Sequence, residues 1–327
     1  MRAAVYTKFG PPEVVRVQET PEPRLGASDV MIRVHATTVT TADWRVRARV
    51  MPAAVWTLIA PLVLGVWGPR KKVLGTECAG VVERVGANVT AFAPGDRVIA
   101  VMGAGMGGHA ELVCVRADSA LAKVPQNLTF EEAVSMPFGA VVALHCLRDL
   151  AALKAGQRVL VVGASGAIGV AAVQLARHMG ASVTGVCSTA NVERVAALGA
   201  TAVIDRTKVD FTREARGFDV VLDTVGATSF AKCKQVLTPR GQFIAVLMGL
   251  TEMWQIACTR LAGGQRVRGA IVSANAAGVA HLMSLAEAGA LKPVIDSTYP
   301  LERIVEAHRR VDSGRKVGSV VVTLARV

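Results

Sequence analysis

The chain has 327 residues, 52% hydrophobic and 19% charged, and its 37 lysines and arginines against 25 aspartates and glutamates leave a net charge of +12. That composition excludes an intrinsically disordered chain, and the length asks for two hydrophobic cores rather than one. The positive surplus leaves nucleic acid, an anionic membrane surface and a phosphorylated ligand as partner classes to be weighed against the motifs.

Met1-Arg2-Ala3-Ala4-Val5-Tyr6 enters strand-like alternation at once and lacks the charged-then-apolar layout of a signal peptide, so no export and a cytoplasmic location are expected. The six cysteines, Cys78, Cys114, Cys146, Cys187, Cys233 and Cys258, form no C-x-x-C pair and suit a reducing compartment. Up to residue 120 the pattern is of short strands and turns: 30–34 alternates, 81–85 follows a glycine-rich turn, and 97–101 follows Pro94-Gly95-Asp96. Residues 50–69 interrupt it with a stretch free of charge, flanked by Arg45, Arg47 and Arg49 before and Arg70, Lys71 and Lys72 after. About 20 apolar residues suffice to cross a bilayer. Pro52, Pro61 and Pro69 break this run, so a hydrophobic loop over a pocket or a membrane-touching surface is expected rather than a span.

Helical patterns at 129–134 and 140–151 then open a strand-helix alternation that lasts to residue 275. Its apolar runs at 159–162, 182–186, 220–222 and 243–247 predict buried parallel strands of a doubly wound sheet. One more helix to residue 288 and a strand-like tail at 317–324 return the chain to the β-rich lobe. The expected domains are 1–124 with 275–327, and 125–274 between them.

The strongest chemical signal is Arg158-Val-Leu-Val-Val-Gly163-Ala164-Ser165-Gly166-Ala167-Ile168-Gly169, a strand, a three-glycine turn and a helix start. These parts bring a pyrophosphate to free N–H groups at a helix N-terminus. Gly163 would allow the tight turn, Gly166 the approach of phosphate and Gly169 helix-strand packing. No Asp or Glu occurs from Ala164 to Val192, where an acid would hold the ribose hydroxyls of NADH. Ser188, Thr189 and Asn191, with Arg194 or Arg206 as charge, suit a 2′-phosphate instead, so NADPH is favoured over NADH.

The glycine motif joins Gly10-Pro11-Pro12-Glu13-Val14, Thr38-Val39-Thr40-Thr41-Ala42-Asp43-Trp44, Leu74-Gly75-Thr76-Glu77-Cys78-Ala79-Gly80, Pro94-Gly95-Asp96-Arg97-Val98 and Gly314-Arg315-Lys316-Val317-Gly318. Together they resemble the medium-chain dehydrogenase/reductase superfamily over nearly the whole chain, and within it the zinc-free, zeta-crystallin-like quinone oxidoreductase branch. The resemblance implies a Rossmann doubly wound parallel sheet inserted into a β-rich GroES-like catalytic domain. Where zinc-dependent members carry their catalytic ligands, this chain has Thr40, Thr76 and Phe138, so no zinc is expected. The implied reaction is hydride transfer from NADPH to a quinone or an α,β-unsaturated carbonyl. Alternatives are an NADPH-dependent reductase of a specialised natural product or lipid-derived aldehyde, and a non-catalytic NADPH-binding protein associated with RNA or membrane. No basic run interleaved with aromatics supports a nucleic-acid face.

The resemblance also implies roles for single residues. Thr40 would bond the substrate carbonyl, with Asp43 and Trp44 one turn on, although Thr-Thr-Ala-Asp equally reads as a helix start that makes Thr40 a cap. Val225, Val246, Leu247, Met248, Ile271 and Val272 would lie against the nicotinamide. Trp56, Leu62 and Trp67, with His109, would line a pocket for a bulky apolar substrate. The edge at 268–274 resembles the strand through which members form homodimers.

Overall fold

The computed structural model describes residues 1–51 and 60–324. They divide into two compact units, the first made of residues 1–51, 60–138 and 273–324, the second of Gly139–Val272.

In the first unit, β1 (Arg2–Tyr6) and β2 (Val15–Glu19) pair antiparallel. The larger sheet is built from β3 (Asp29–Val39), β4 (Glu77–Val85), β5 (Arg97–Val101), β6 (Leu112–Arg116), β7 (Leu121–Lys123), β14 (Ile295–Pro300) and β15 (Ser319–Thr323). Its order is β14-β15-β3-β4-β5-β7, with β6 added along β3. With 11 residues, β3 is long enough to pair β6 at its start, β4 along most of its length and β15 at its end. The alternation at 30, 32 and 34 turns Val30, Ile32 and Val34 to one face, where they meet Val82, Val98, Val113 and Val320. The helix Ile304–Asp312 covers that core with Ile304, Ala307 and Val311, spaced three and four residues apart.

Residues 125–138 fold with this unit instead of opening the second one. The helix Phe130–Val134 packs on β3, β4 and β15, the Phe130 ring lies 4.7 Å from that of His35, and the Ser319 hydroxyl donates to Ser135 O at 2.6 Å. The change from strand to helical periodicity at residue 125 therefore precedes the change of core.

The second unit holds β8 (Arg158–Val162), β9 (Ser182–Cys187), β10 (Ala202–Asp205), β11 (Phe218–Asp223), β12 (Leu237–Ala245) and β13 (Arg266–Gly269). All pairings are parallel, in the order β10-β9-β8-β11-β12-β13. The winding reverses between β8 and β11, which opens a crevice at their carboxyl ends. Two expected boundaries shift: β12 ends at Ala245, leaving Val246, Leu247 and Met248 beyond the strand, and β13 ends at Gly269, so Ile271 and Val272 are not strand residues. The ladder continues past Gly269 only in the Ala270 N–H bond to Ala245 O.

Among the described residues no helix is long and apolar enough to cross a membrane. Trp56 lies outside the described residues.

Candidate functional site

Gly163 closes β8 at φ +80°, and a Cβ there would stand 2.7 Å from both Thr224 Oγ1 and Val225 Cγ1, just past the end of β11. The two strand ends meet too closely for any side chain. Gly169 is equally constrained, since a Cβ would lie 2.2 Å from Gly163 O. Gly166 differs: a Cβ would meet only Gly163 O, at an ordinary 3.6 Å. Nothing in the protein requires a glycine there. It is the N-cap of the helix Ala167–His178, with no side-chain cap, so the first-turn N–H groups of Ala167, Ile168 and Gly169 have no acceptor within the helix. An open cradle of unpaired donors at the positive end of a 12-residue helix fits a pyrophosphate.

The side chains expected at a 2′-phosphate are bonded to one another. Asn191 Nδ2 donates to Ser165 Oγ at 3.1 Å and to Ser188 Oγ at 3.3 Å. The Thr189 hydroxyl donates at 2.7 Å to Asp205 Oδ2, at the end of β10. Arg194 and Arg206 make no ion pair among the described residues.

At the end of β11, Asp223 is only 2% exposed. Its Oδ1 accepts from the N–H groups of Val225, Gly226 and Ala227 at 3.1, 2.9 and 3.2 Å, and Oδ2 from that of Thr228 at 3.0 Å. One carboxylate thus fixes the loop in which Val225 was expected to meet the nicotinamide. Sequence reasoning missed Asp223 because four donors from one loop converge on it only when the chain turns back over the strand end.

In the first unit, Thr40 is the N-cap of the helix Thr41–Ala48. Its hydroxyl donates to Asp43 Oδ2 at 2.6 Å and accepts from Asp43 N at 3.2 Å, while Asp43 Oδ1 accepts from Gly75 N at 2.8 Å. Both side chains are buried in this box, so the structure assigns them a capping role and ties the helix to the Gly75 turn. Trp44 is half-buried against the same core. Glu77 accepts a 2.6 Å bond from the Thr38 hydroxyl on Oε1 and has no partner for Oε2.

Full burial pushes the Glu77 carboxyl up to about 8, helped by the nearby Asp43 charge and opposed by Thr38, the Phe138 N–H and Lys316. Glu77 therefore binds its proton more tightly folded than unfolded. Its contribution to stability is complete below the ordinary value of 4.5 and is lost as pH rises toward about 8. Glu77→Gln, which keeps an acceptor for Thr38, is expected to flatten the fall of Tm over that interval in a pH series of thermal melts. A Gln variant that still loses Tm as steeply as wild type would contradict this origin.

His109, expected in a substrate pocket, is corrected by the structure: it is 0% exposed, and Nε2 lies 2.9 Å from Thr38 O. A carbonyl only accepts, so Nε2 carries the hydrogen and Nδ1 is left without a partner. Its ring stands edge-on to His308, 5.7 Å away, whose two ring nitrogens are also unpartnered. Burial, His109 and the Arg47 guanidinium hold His308 well below the usual value of 6.5. Unfolded chain binds this proton more readily, so stability is lost as pH falls below 6.5. His308→Leu is expected to reduce that acid loss in melts at descending pH; parallel wild-type and variant curves would refute it.

Leu62 is 67% and Trp67 100% exposed, so neither is enclosed. Thr40, Thr76 and Phe138 do not make a zinc site: the Thr40 hydroxyl is spent on the cap and a phenyl ring has no donor. Among the described residues no three His, Cys, Asp or Glu side chains come together as metal ligands.

The model of the alcohol dehydrogenase GroES-like domain matches residues 26–126, and that of the zinc-binding dehydrogenase matches residues 198–322. The quinone oxidoreductase of Pongo abelii is 31% identical over 330 residues, covering 96% of this chain and 94% of that protein. The spectinabilin polyketide synthase system protein NorB of Streptomyces orinoci is 34% identical over 300 residues, 86% of this chain but 13% of that protein. The chain spans 8% and 5% of two further polyketide synthase proteins that it matches. The solved quinone oxidoreductase of Coxiella burnetii superposes with a TM-score of 0.87 at 25% identity, covering 99% of each chain.

Proposed function

Because the chain belongs to the medium-chain dehydrogenase/reductase superfamily, in its quinone oxidoreductase branch, we propose that it is a zinc-independent reductase moving a hydride from NADPH to a quinone or an α,β-unsaturated carbonyl. The quinone oxidoreductase relative supports an NAD(P)H-dependent oxidoreductase, and the electron acceptor, the choice of NADPH and the independence from zinc extend that reading. The observation that carries it is the set Thr40, Thr76 and Phe138, which lacks the donors to hold a Lewis acid. An ordinary ketone needs such polarisation, whereas a quinone or enone already accepts hydride.

When bound, a reduced nicotinamide supplies the hydride, and the acceptor takes up one proton from solvent to balance it. The chain supplies orientation. Gly166 and the first turn of Ala167–His178 hold the pyrophosphate, the loop fixed by Asp223 offers backbone groups to the carboxamide, and Arg194 and Arg206 are the cations for a 2′-phosphate. Leu62 and Trp67 would form an apolar rim for a bulky substrate, or touch a membrane beside Arg70, Lys71 and Lys72, in a cytoplasmic protein.

A homodimer belongs to the same reading. The helix Leu250–Ala262 packs on the edge strand β13 yet has no buried residue, and it presents Leu250, Met253, Trp254 and Leu261 along one face. Leu261→Glu, which places a charge at a position now 89% exposed, is expected to yield monomer in light scattering after gel filtration. An unchanged mass would remove this face from the interface.

The identity with NorB, a polyketide synthase system protein, favours a second reading within the same chemistry, reduction of an unsaturated carbonyl in a specialised natural product. Oxidation of NADPH and NADH should be followed with quinones, enones and simple ketones, alongside metal analysis. Turnover of quinones or enones without bound metal is expected. Zinc-dependent turnover of simple ketones would overturn the proposal, and enone turnover without quinone turnover would select the second reading.

A further inference from the structure

The chain from Ala164 to Val192 has no acid, yet the folded site has one. Strands β9 and β10 are parallel neighbours in a register that sets Asp205 opposite Cys187, the last residue of β9, and Arg206 N donates to Cys187 O at 2.9 Å. The Asp205 carboxylate is thereby carried level with the β9 end, where a dinucleotide fold places the acid that holds the adenosine ribose. It accepts from Thr189 Oγ1 at 2.7 Å, from Thr207 N at 2.9 Å and from Thr207 Oγ1 at 2.7 Å, with Lys208 Nζ 3.9 Å away.

These bonds decide what Thr189 offers outward. A hydroxyl has one proton; Thr189 Oγ1 lies 2.7 Å from Asp205 Oδ2 and 2.8 Å from Thr207 Oγ1, and because the Thr207 hydroxyl donates to Asp205 Oδ1, the arrangement that gives both protons to the carboxylate leaves Thr189 only lone pairs to present outward. Asn191 likewise spends its amide hydrogens on Ser165 and Ser188. A ribose 2′-hydroxyl can donate to such a surface. A 2′-phosphate brings only acceptors and a second negative charge. The hydrogen bonds from Thr189 and Thr207 hold Asp205 below the usual carboxylate range, so it is charged at neutral pH.

We propose that Asp205, supplied by the neighbouring strand, sets the cofactor ratio of this site by opposing a 2′-phosphate and favouring a free ribose hydroxyl through Thr189. The proposal rests on the dinucleotide reading above and refines its choice of NADPH: Arg194 and Arg206 pull toward NADPH while Asp205 keeps NADH competitive.

Dissociation constants for NADPH and NADH, measured by titration calorimetry on the wild type, Asp205→Asn and Asp205→Ser, test it. Removing one like charge near a partly solvated phosphate is expected to shift the ratio toward NADPH by about tenfold in either variant. A ratio within about twofold of wild type in a folded variant overturns the proposal. The wild type alone gives a second reading: adenosine 2′,5′-bisphosphate should bind within about tenfold of adenosine 5′-monophosphate, and a preference above about a hundredfold also overturns it. Failure of the wild type to bind either nicotinamide nucleotide would refute the dinucleotide reading itself, an outcome distinct from an unmoved ratio.

Discussion

Gly166→Ala is expected to leave the thermal midpoint unchanged while weakening NADPH binding by about a hundredfold. The separation of the two readouts follows from the geometry. The added methyl meets only Gly163 O, at 3.6 Å, and the backbone there has φ −74°, which alanine adopts freely. Its cost falls on a ligand that must approach the first-turn N–H groups through the same space. Gly163→Ala is the contrast, because its φ of +80° and 2.7 Å approaches to Thr224 and Val225 must be relieved in the protein itself. Differential scanning fluorimetry with titration calorimetry distinguishes the two. If Gly166→Ala bound NADPH as wild type does, the motif would be a turn with no phosphate in it.

Asp223→Ala is expected to cost about 3 kcal/mol and to raise the KM for NADPH far more than it lowers kcat. Four N–H groups lose one buried acceptor, and no other side chain bonds them. For a cooperative unit the size of Gly139–Val272 that loss corresponds to a fall in Tm of about 10 °C. Asp223→Asn should fall between: its oxygen can still take Val225, Gly226 and Ala227, but its amide would face the Thr228 N–H, donor against donor. An alanine variant with wild-type Tm and KM would show that the loop needs no carboxylate.

These residues mark how far the chain could be read before folding. The strand, three glycines and helix start at 158–169 were legible because the motif is local, and its spacing alone puts a helix N-terminus at the end of a buried strand. The parallel sheet was equally plain from its apolar runs, since strands covered on both faces must be apolar throughout. Thr40 was ambiguous between substrate ligand and cap, and only the folded chain commits its hydroxyl to Asp43. Glu77, Asp205, Asp223 and His308 carried no signal, because a carboxylate or imidazole acquires its character from what surrounds it.

The sequence by itself determined the fold class and the strand, three-glycine turn and helix start at 158–169, both properties of residue type and short spacing. The tertiary structure alone decided where 125–138 pack, which buried groups keep or refuse a proton, and that an acid stands beside Thr189. Those depend on burial and on neighbours distant along the chain: the carboxylate of Asp205 reaches Thr189 across 16 residues because two parallel strands end level with each other.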